Sequence, residues 1–171
     1  MMKNFNRITT ALVATLLTTS AFAAEVKVKW EGVDDYRDIE AVSDIQERFE
    51  KRVMERLTAH WQDLGEKLPE DHKLAITMTD LDLAGRIEPT YGVGGSGHVR
   101  VLDSLSFPTM SFSYSYTDAN GEVISSNEDV RLKDLGDGSS TLRSIHGTSN
   151  DNLYREKRLM TEWVQRQFDV R

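Results

Sequence analysis

The sequence predicts an α+β fold, an antiparallel-rich sheet of four to five strands with two amphipathic helices packed on one face. Several segments alternate apolar and polar residues, as half-buried strands do. Two longer stretches repeat their apolar residues every three or four positions, as surface helices do. The order is strand, helix, three or four strands, helix, which favours helices grouped on one side of a sheet.

The first strand and the first helix are both predicted from local patterns. Residues 25–30 alternate strictly, with Val26, Val28 and Trp30 on one side. Ser43 suits a helix N-cap and has Gln46 three residues later, so we predict a helix from there to Gly65 or to the residue before Pro69. Its apolar stripe is Ile45, Phe49, Val53, Leu57, Trp61, Leu64 and Leu68.

The next predicted strand, residues 73–85, ends in two carboxylates and a glycine. Leu74, Ile76 and Met78 share one face. A strict two-residue period predicts that Asp80 and Asp82 continue that face. Residues 86–97 are predicted to be a loop, with a return to strand at residues 98–102.

The last third of the chain predicts a hairpin, a loop and a helix. Residues 110–117 alternate most clearly, and residues 118–121, DANG, signal a hairpin turn before a return strand at residues 122–132. Residues 136–150 are rich in Gly, Ser and Thr and predict a mobile loop. A helix is predicted over residues 152–168.

The chain starts with the features of a secretory signal peptide. Lys3 and Arg7 precede an uncharged, largely apolar stretch at residues 8–19, and Ala21-Phe22-Ala23 has the small-x-small pattern of a cleavage site. We therefore predict a signal peptide at residues 1–23, cleavage after Ala23, a periplasmic location and a single domain at residues 24–171. No membrane span is predicted in that mature chain.

Composition limits the possible partners. The formal net charge is −7, and loss of Lys3 and Arg7 would make it −9. A chain this acidic is a poor nucleic-acid binder, because neutralisation of phosphates supplies most non-specific affinity. The sequence has no cysteine, so no disulfide or thiolate site is possible.

Three blocks of sequence carry a resemblance. They are LPEDHKLAITMTDLDLAG, FPTMSFSYSYTDANGEV and NDNLYREKRLMTEWVQRQF, at residues 68–85, 107–123 and 150–168. In these blocks the chain resembles the domain-of-unknown-function family 3016, and TDLDLAG is the most specific part. The resemblance implies a secreted protein of Gram-negative bacteria with a single domain and an uncharacterised activity. It implies no catalytic residues.

Asp80, Asp82 and His98 are the candidate metal ligands. Two carboxylates two residues apart on a strand lie about 6–7 Å apart and could share a cation or divide acid and base roles. His98 could join them if the two strands pair. The structural interpretation is that both aspartates accept backbone N–H groups in a turn. A calcium loop is not matched, because Ala84 and Tyr91 replace ligands that it needs.

Other patterns are weaker. The glycine-rich residues 92–97 resemble a phosphate-binding loop, but a strand pattern follows where such a loop needs a helix, which favours a flap or a hairpin connection. The first helix carries an arginine row of Arg48, Arg52 and Arg56. This row could bind an anionic glycan or an acidic partner, or form a solvated, salt-bridged face. Tyr114 and Tyr116 could stack on sugars or lie in the core. No cofactor motif is recognised.

The sequence therefore leaves two hypotheses of different classes. The first is a small non-catalytic binding or accessory module of the cell envelope, whose partner is an unknown envelope protein or a small ligand. The alternative is a metal-binding protein or metal-assisted hydrolase that uses Asp80, Asp82 and His98.

Overall fold

The computed structural model describes residues 23–36, 38–42, 44–92, 95–102, 106–134 and 152–171. Its helices and strands are β1 (Glu25–Trp30), a short 3-10 helix (Val33–Asp35), α1 (Gln46–Gly65), β2 (Lys73–Asp82), β3 (Arg86–Gly92), β4 (Gly95–Val101), β5 (Thr109–Thr117), β6 (Val123–Lys133) and α2 (Tyr154–Phe168). The α+β class is confirmed. The predicted loop at residues 136–150 and all but the last residue of the predicted signal peptide lie outside the described residues.

The strands form two sheets, where the sequence predicted one. Four strands make a sheet in the order β1-β2-β5-β6, and β3 pairs with β4 alone. The larger sheet is mixed, because β1 runs parallel to β2 while the other pairs are antiparallel. Parallel neighbours need a crossover of a dozen or more residues, and α1 lies within that connection.

Helix α1 begins later than its predicted cap. Ile45 is the N-cap and makes no side-chain capping bond, while position 43 lies outside the described residues. The Gln46 side chain instead ties the helix start to the preceding segment, accepting from the Ala41 N–H at 2.8 Å and donating to the Ile39 carbonyl at 2.5 Å. The predicted end at Gly65 is confirmed.

Aromatic side chains from both helices meet on β5. The Trp61 ring of α1 and the Trp163 ring of α2 lie 5.6 and 4.9 Å from the Phe112 ring and 5.7 Å from each other. Tyr114 lies 5.1 Å from Trp163 and is buried, as is Tyr116, which confirms their core interpretation. The predicted α1 stripe is buried from Val53 onward, whereas Phe49 is half-buried and Ile45 is 60% exposed.

A β-bulge in β2 overturns the predicted position of the two aspartates. The pairing of β2 with β5 shifts between Met78, opposite Phe112, and Asp80. The extra residue moves the buried side from even to odd positions, so Leu81 is 0% exposed and lies opposite Met110. Asp80 and Asp82 consequently do not continue the Leu74 face. They lie opposite Ser111 and Thr109 on the other face of the sheet.

The segment predicted as a loop at residues 86–97 is a β-hairpin. Strands β3 and β4 pair from Arg86 with Val101 to Gly92 with Gly95, which confirms the hairpin interpretation of the glycine-rich stretch. Gly85 precedes the hairpin with φ +94°, and a Cβ there would lie 2.6 Å from the Val101 carbonyl oxygen. The close approach and the positive φ both require glycine at this position.

The turn between β5 and β6 is the hairpin turn that the sequence predicts. The Asp118 carboxylate accepts from the N–H groups of Asn120 and Glu122, each at 2.9 Å, and Gly121 has φ +86°. These hydrogen bonds, with that to Glu122 the largest cause, lower the pKa of Asp118.

Candidate functional site

A cleft of about 310 Å³ opens where the β3–β4 hairpin meets the starts of both helices. Its lining comes from the segment before α1, the first turns of α1, the turn after β2, strand β4 and the start of α2. The lining residues are Val42, Asp44, Phe49, Arg52, Leu83, Ala84, His98, Val99, Arg100, Asn152 and Leu153. Because these segments are distant in sequence, the cleft exists only in the folded chain.

Arg100 fixes the hairpin at one side of the cleft. Its guanidinium is bidentate to the Asp38 carboxylate, with N–O distances of 2.8 and 3.3 Å, and also donates to the Asp38 carbonyl at 2.9 Å. The Arg100 side chain is only 13% exposed. An arginine held in this way keeps β4 in place against the segment before α1 and contributes a positive charge to the cleft wall.

Arg52 of α1 also lines the cleft and is more accessible than Arg100. It donates to the Asp44 carboxylate at 2.7 Å, and this hydrogen bond is the main cause of the lowered pKa of Asp44. The guanidinium carbon also lies 5.7 Å from the centre of the Phe49 ring, within the range of a cation–π contact. The Arg52 side chain is 48% exposed.

The arginine row of α1 is partly engaged within the chain. Arg56 donates to the Asn152 side-chain oxygen at 3.1 Å, which ties α1 to the start of α2, and Arg52 pairs with Asp44. The pairing of Arg52 with Asp44 supports the salt-bridged interpretation for one member of the row. The Arg56 contact positions Asn152 at the rim of the cleft.

Glu156 is a buried acid that the sequence analysis did not single out. It is fully buried, and its Oε1 accepts from the N–H of Ala84, a lining residue, at 2.7 Å. Within the described part of the chain, Oε2 has no hydrogen-bond partner. Burial raises the pKa of this carboxyl, against the opposing effects of the Ala84 N–H and the charges of Arg100 and Arg155. The signal was available, because Glu156 falls on the apolar stripe of α2, three residues before Leu159.

The structure places the three predicted metal ligands in two different sheets. Asp80 and Asp82 lie in β2 of the larger sheet, whereas His98 lies in β4 and lines the cleft. Asp80 is near Tyr36, whose pKa is raised to about 12 mainly by burial and further by the Asp80 charge. Across the described ranges, no group of three or more His, Cys, Asp or Glu side chains could hold a metal ion.

Two other cavities have acidic linings. A groove of about 520 Å³ lies between Trp30 and α1, and its charged residues are Glu47, Glu50, Lys51 and Glu55. A cavity of about 350 Å³ near the 3-10 helix is lined by Asp34, Asp38, Glu40 and Glu50 and by no basic residue of the described part. The cleft beside the hairpin differs from both, because its described lining contains two arginines and a histidine and one acidic residue, Asp44.

The chain matches a family of uncharacterised proteins. Residues 24–166 match the profile of a family described as "Protein of unknown function (DUF3016)". No curated protein matches the chain. Among solved structures, the minor lipoprotein from Acinetobacter baumannii is 9% identical, with 86% of this chain and 91% of that chain covered and a TM-score of 0.26. A TM-score this low carries no argument about fold or function.

No helix within the described residues combines the length and the apolar character that a membrane span requires. The family match extends over most of the sequence, from the residue after the predicted signal peptide into the last helix. It agrees with the resemblance carried by the three sequence blocks. The chain belongs to the DUF3016 family.

Proposed function

We propose that this protein is a small binding or accessory module of the cell envelope, exported by a signal peptide and without a catalytic activity of its own. The observation that carries the proposal is the cleft beside the β3–β4 hairpin. Its volume is at the lower end of the range of small-molecule sites, about 300–1,000 Å³. Its partner is then a small ligand or an envelope protein that presents a small group.

The lining has the composition of a binding site. Most of its residues are apolar, and a few polar side chains converge on the same space, which is the usual arrangement for fixing the orientation of a ligand. The chemistry of the cleft therefore favours recognition.

Export is supported by the sequence and by the start of the fold. The family match begins at residue 24, the residue that cleavage after Ala23 would expose. The Ala24 nitrogen donates to the Gly65 carbonyl at 3.3 Å, and the α-amino group made by cleavage could keep that bond. We propose that residues 24–171 then form one periplasmic domain whose two helices cover one face of the larger sheet.

Binding can be tested by NMR on the mature protein. Mixtures of small polar and apolar compounds are added to labelled protein, and amide shifts are followed for Val99, Leu83 and Asn152. We expect at least one mixture to shift these amides, while Gly121, at the far hairpin turn, stays unchanged. Shifts confined to other surfaces, or none with any mixture, would contradict the proposal.

Export is tested separately by expressing the full chain in a Gram-negative host. We expect the protein in the periplasmic fraction, with an intact mass that begins at Ala24. Cytoplasmic protein that retains residues 1–23 would contradict this part of the proposal. The metal-dependent alternative stays a prediction from the sequence, because no contact among the described residues favours it.

A further inference from the structure

We propose that the cleft beside the β3–β4 hairpin takes a small organic anion, a carboxylate or phosphate that carries an apolar body. Arg52 binds the charged group, and the apolar body packs against Phe49, Leu83 and Val99. This inference rests on the proposed binding function and names the class of ligand.

Charge distinguishes this cleft from the other cavities described above. The acidic linings of those two cavities repel anions, and so does the formal net charge of −7 of the whole chain. The cleft is lined by Arg52 and Arg100 and, among its described residues, by one carboxylate, that of Asp44, while Asp38 outside the lining pairs with Arg100. Its local charge is therefore less negative than that of the other two cavities, so an anion is repelled least there.

Arg52 has donors available for such an anion. A guanidinium carries five N–H donors, and the one hydrogen bond that Arg52 makes among the described residues goes to Asp44. Half of its side chain is open to solvent. Arg100 differs, since Asp38 engages both of its terminal nitrogens. Arg52 is thus the anion-binding group, and Arg100, whose charge is paired with Asp38, holds the hairpin beside it.

The apolar side of the cleft is incompletely covered. Val99 is 43% exposed and Phe49 is half-buried, although both lie in a concave surface. A ligand that covers them would gain about 25 cal/mol for each Å² removed from water. A volume of 310 Å³ corresponds to about ten heavy atoms, if each occupies about the 30 Å³ of a water molecule. One aromatic ring with a short acidic arm has this size.

The test uses three compounds that separate charge from apolar contact. Phenylacetate has both, phenylacetamide has the same shape without charge, and acetate has the charge without the ring. We expect the mature protein to bind phenylacetate most tightly by NMR titration, with the largest shifts at Val99 and Arg52. Phenyl phosphate in place of phenylacetate shows whether the site prefers carboxylate or phosphate.

Variants identify the binding group. Arg52→Gln is expected to weaken phenylacetate binding by about tenfold or more, the loss of one charge-assisted hydrogen bond. Arg52→Lys keeps the charge but not the planar guanidinium. Its affinity for phenylacetate is expected to lie between those of the wild type and Arg52→Gln. Arg131→Gln is the matched control, because Arg131 also pairs with an aspartate, Asp129 at 2.9 Å, but lies on β6 outside the cleft lining. It should bind as the wild type does.

Any of the following results would overturn the inference. Equal affinity for phenylacetate and phenylacetamide would show that charge is not recognised, and the proposed binding function would still stand. An equal loss in Arg52→Gln and Arg131→Gln would show that only the overall charge matters. If none of the compounds binds while the broader NMR screen finds another ligand in the cleft, the anion class is wrong. If that screen also fails, the proposed function fails with it.

Discussion

The pKa of the Glu156 carboxyl group depends strongly on its surroundings. Glutamate normally lies at the protein surface and not on the buried face of a helix, because burying a carboxylate without partners is costly. Here one oxygen accepts from the Ala84 N–H, and the group lies under the wall of the cleft. Its raised pKa means that the folded protein retains this proton more strongly than the unfolded chain does.

The first prediction concerns the pH dependence that follows from Glu156. The unfolded chain loses this proton near the ordinary glutamate pKa of about 4.3, whereas the folded chain holds it to a higher pH. The wild-type free energy of unfolding should therefore include a term that falls as pH rises above about 4.3 and levels off above the folded pKa. Glu156→Gln lacks that term. Urea denaturation between pH 4 and 8 should show the variant gaining stability relative to wild type as pH rises. If the free energies of unfolding of the variant and the wild type change equally with pH, this prediction is wrong.

The second prediction compares two glycines with similar backbones. Gly85 and Gly121 have φ of +94° and +86°, but a Cβ at Gly85 would lie 2.6 Å from the Val101 oxygen, while one at Gly121 meets nothing within 4 Å. Gly121→Ala should lower the free energy of unfolding by about 1–2 kcal/mol, which is the cost of a residue with a Cβ in the left-handed backbone conformation. Gly85→Ala should cost more, because a backbone atom has to move. Thermal or urea denaturation measures both, and an equal loss would mean that the turn after β2 relaxes easily.

The third prediction concerns the metal hypothesis. With Asp80 and Asp82 in the larger sheet and His98 in the hairpin, we expect calorimetric titration with Ca²⁺, Mg²⁺ and Zn²⁺ to give the same result for wild type and for Asp80→Asn with Asp82→Asn. Saturable binding that this double variant abolishes would restore the metal-dependent alternative.

At the scale of elements, local periodicity was sufficient where one face of a segment is buried throughout. The stripe from Val53 to Leu64 and the alternation from Met110 to Tyr116 both match the observed burial. Periodicity failed in β2, because the bulge inserts a residue whose position depends on the pairing with β5. It also failed in β3, which was predicted as a loop although it pairs with β4, whereas the strand predicted at residues 98–102 overlaps most of β4.

The fourth prediction tests the contact between α1 and β5. Trp61 is fully buried against Phe112 and Trp163, so Trp61→Ala should lower the free energy of unfolding by about 3–5 kcal/mol. Trp30→Ala is the control. Because Trp30 is only half-buried, this substitution should lower the free energy of unfolding by less. Urea denaturation provides both values. A loss at Trp61 no larger than that at Trp30 would mean that the aromatic cluster contributes little to stability.

At the scale of the whole molecule, the proposed single domain makes the fifth prediction. If residues 24–171 fold as one unit, tryptophan fluorescence and far-UV circular dichroism should report coincident unfolding transitions. Trp30, Trp61 and Trp163 lie in β1, α1 and α2, so fluorescence samples three elements. Two separated transitions would contradict a single cooperative domain, and a variant with Trp30→Phe would then show which part unfolds first.

The cleft is also a property of the whole molecule. Its positive side chains were visible in the sequence, with Arg52 in the α1 row and Arg100 beside His98. Nothing in the sequence indicated that these two would line the same cleft, because β4 and the start of α1 are distant along the chain. The candidate site was therefore not predictable from spacing, although one of its residues, His98, was named for another reason.

The sequence alone determined the two helical stripes, the β5 alternation and the Asp118 turn, because each depends on residues within one or two turns or along one strand. Only the tertiary structure decided the parallel pairing of β1, the bulge after Met78, the burial of Glu156 and the pairing of Arg100 with Asp38. These features depend on contacts between residues that are distant along the chain, and no local pattern encodes which distant partner each residue meets.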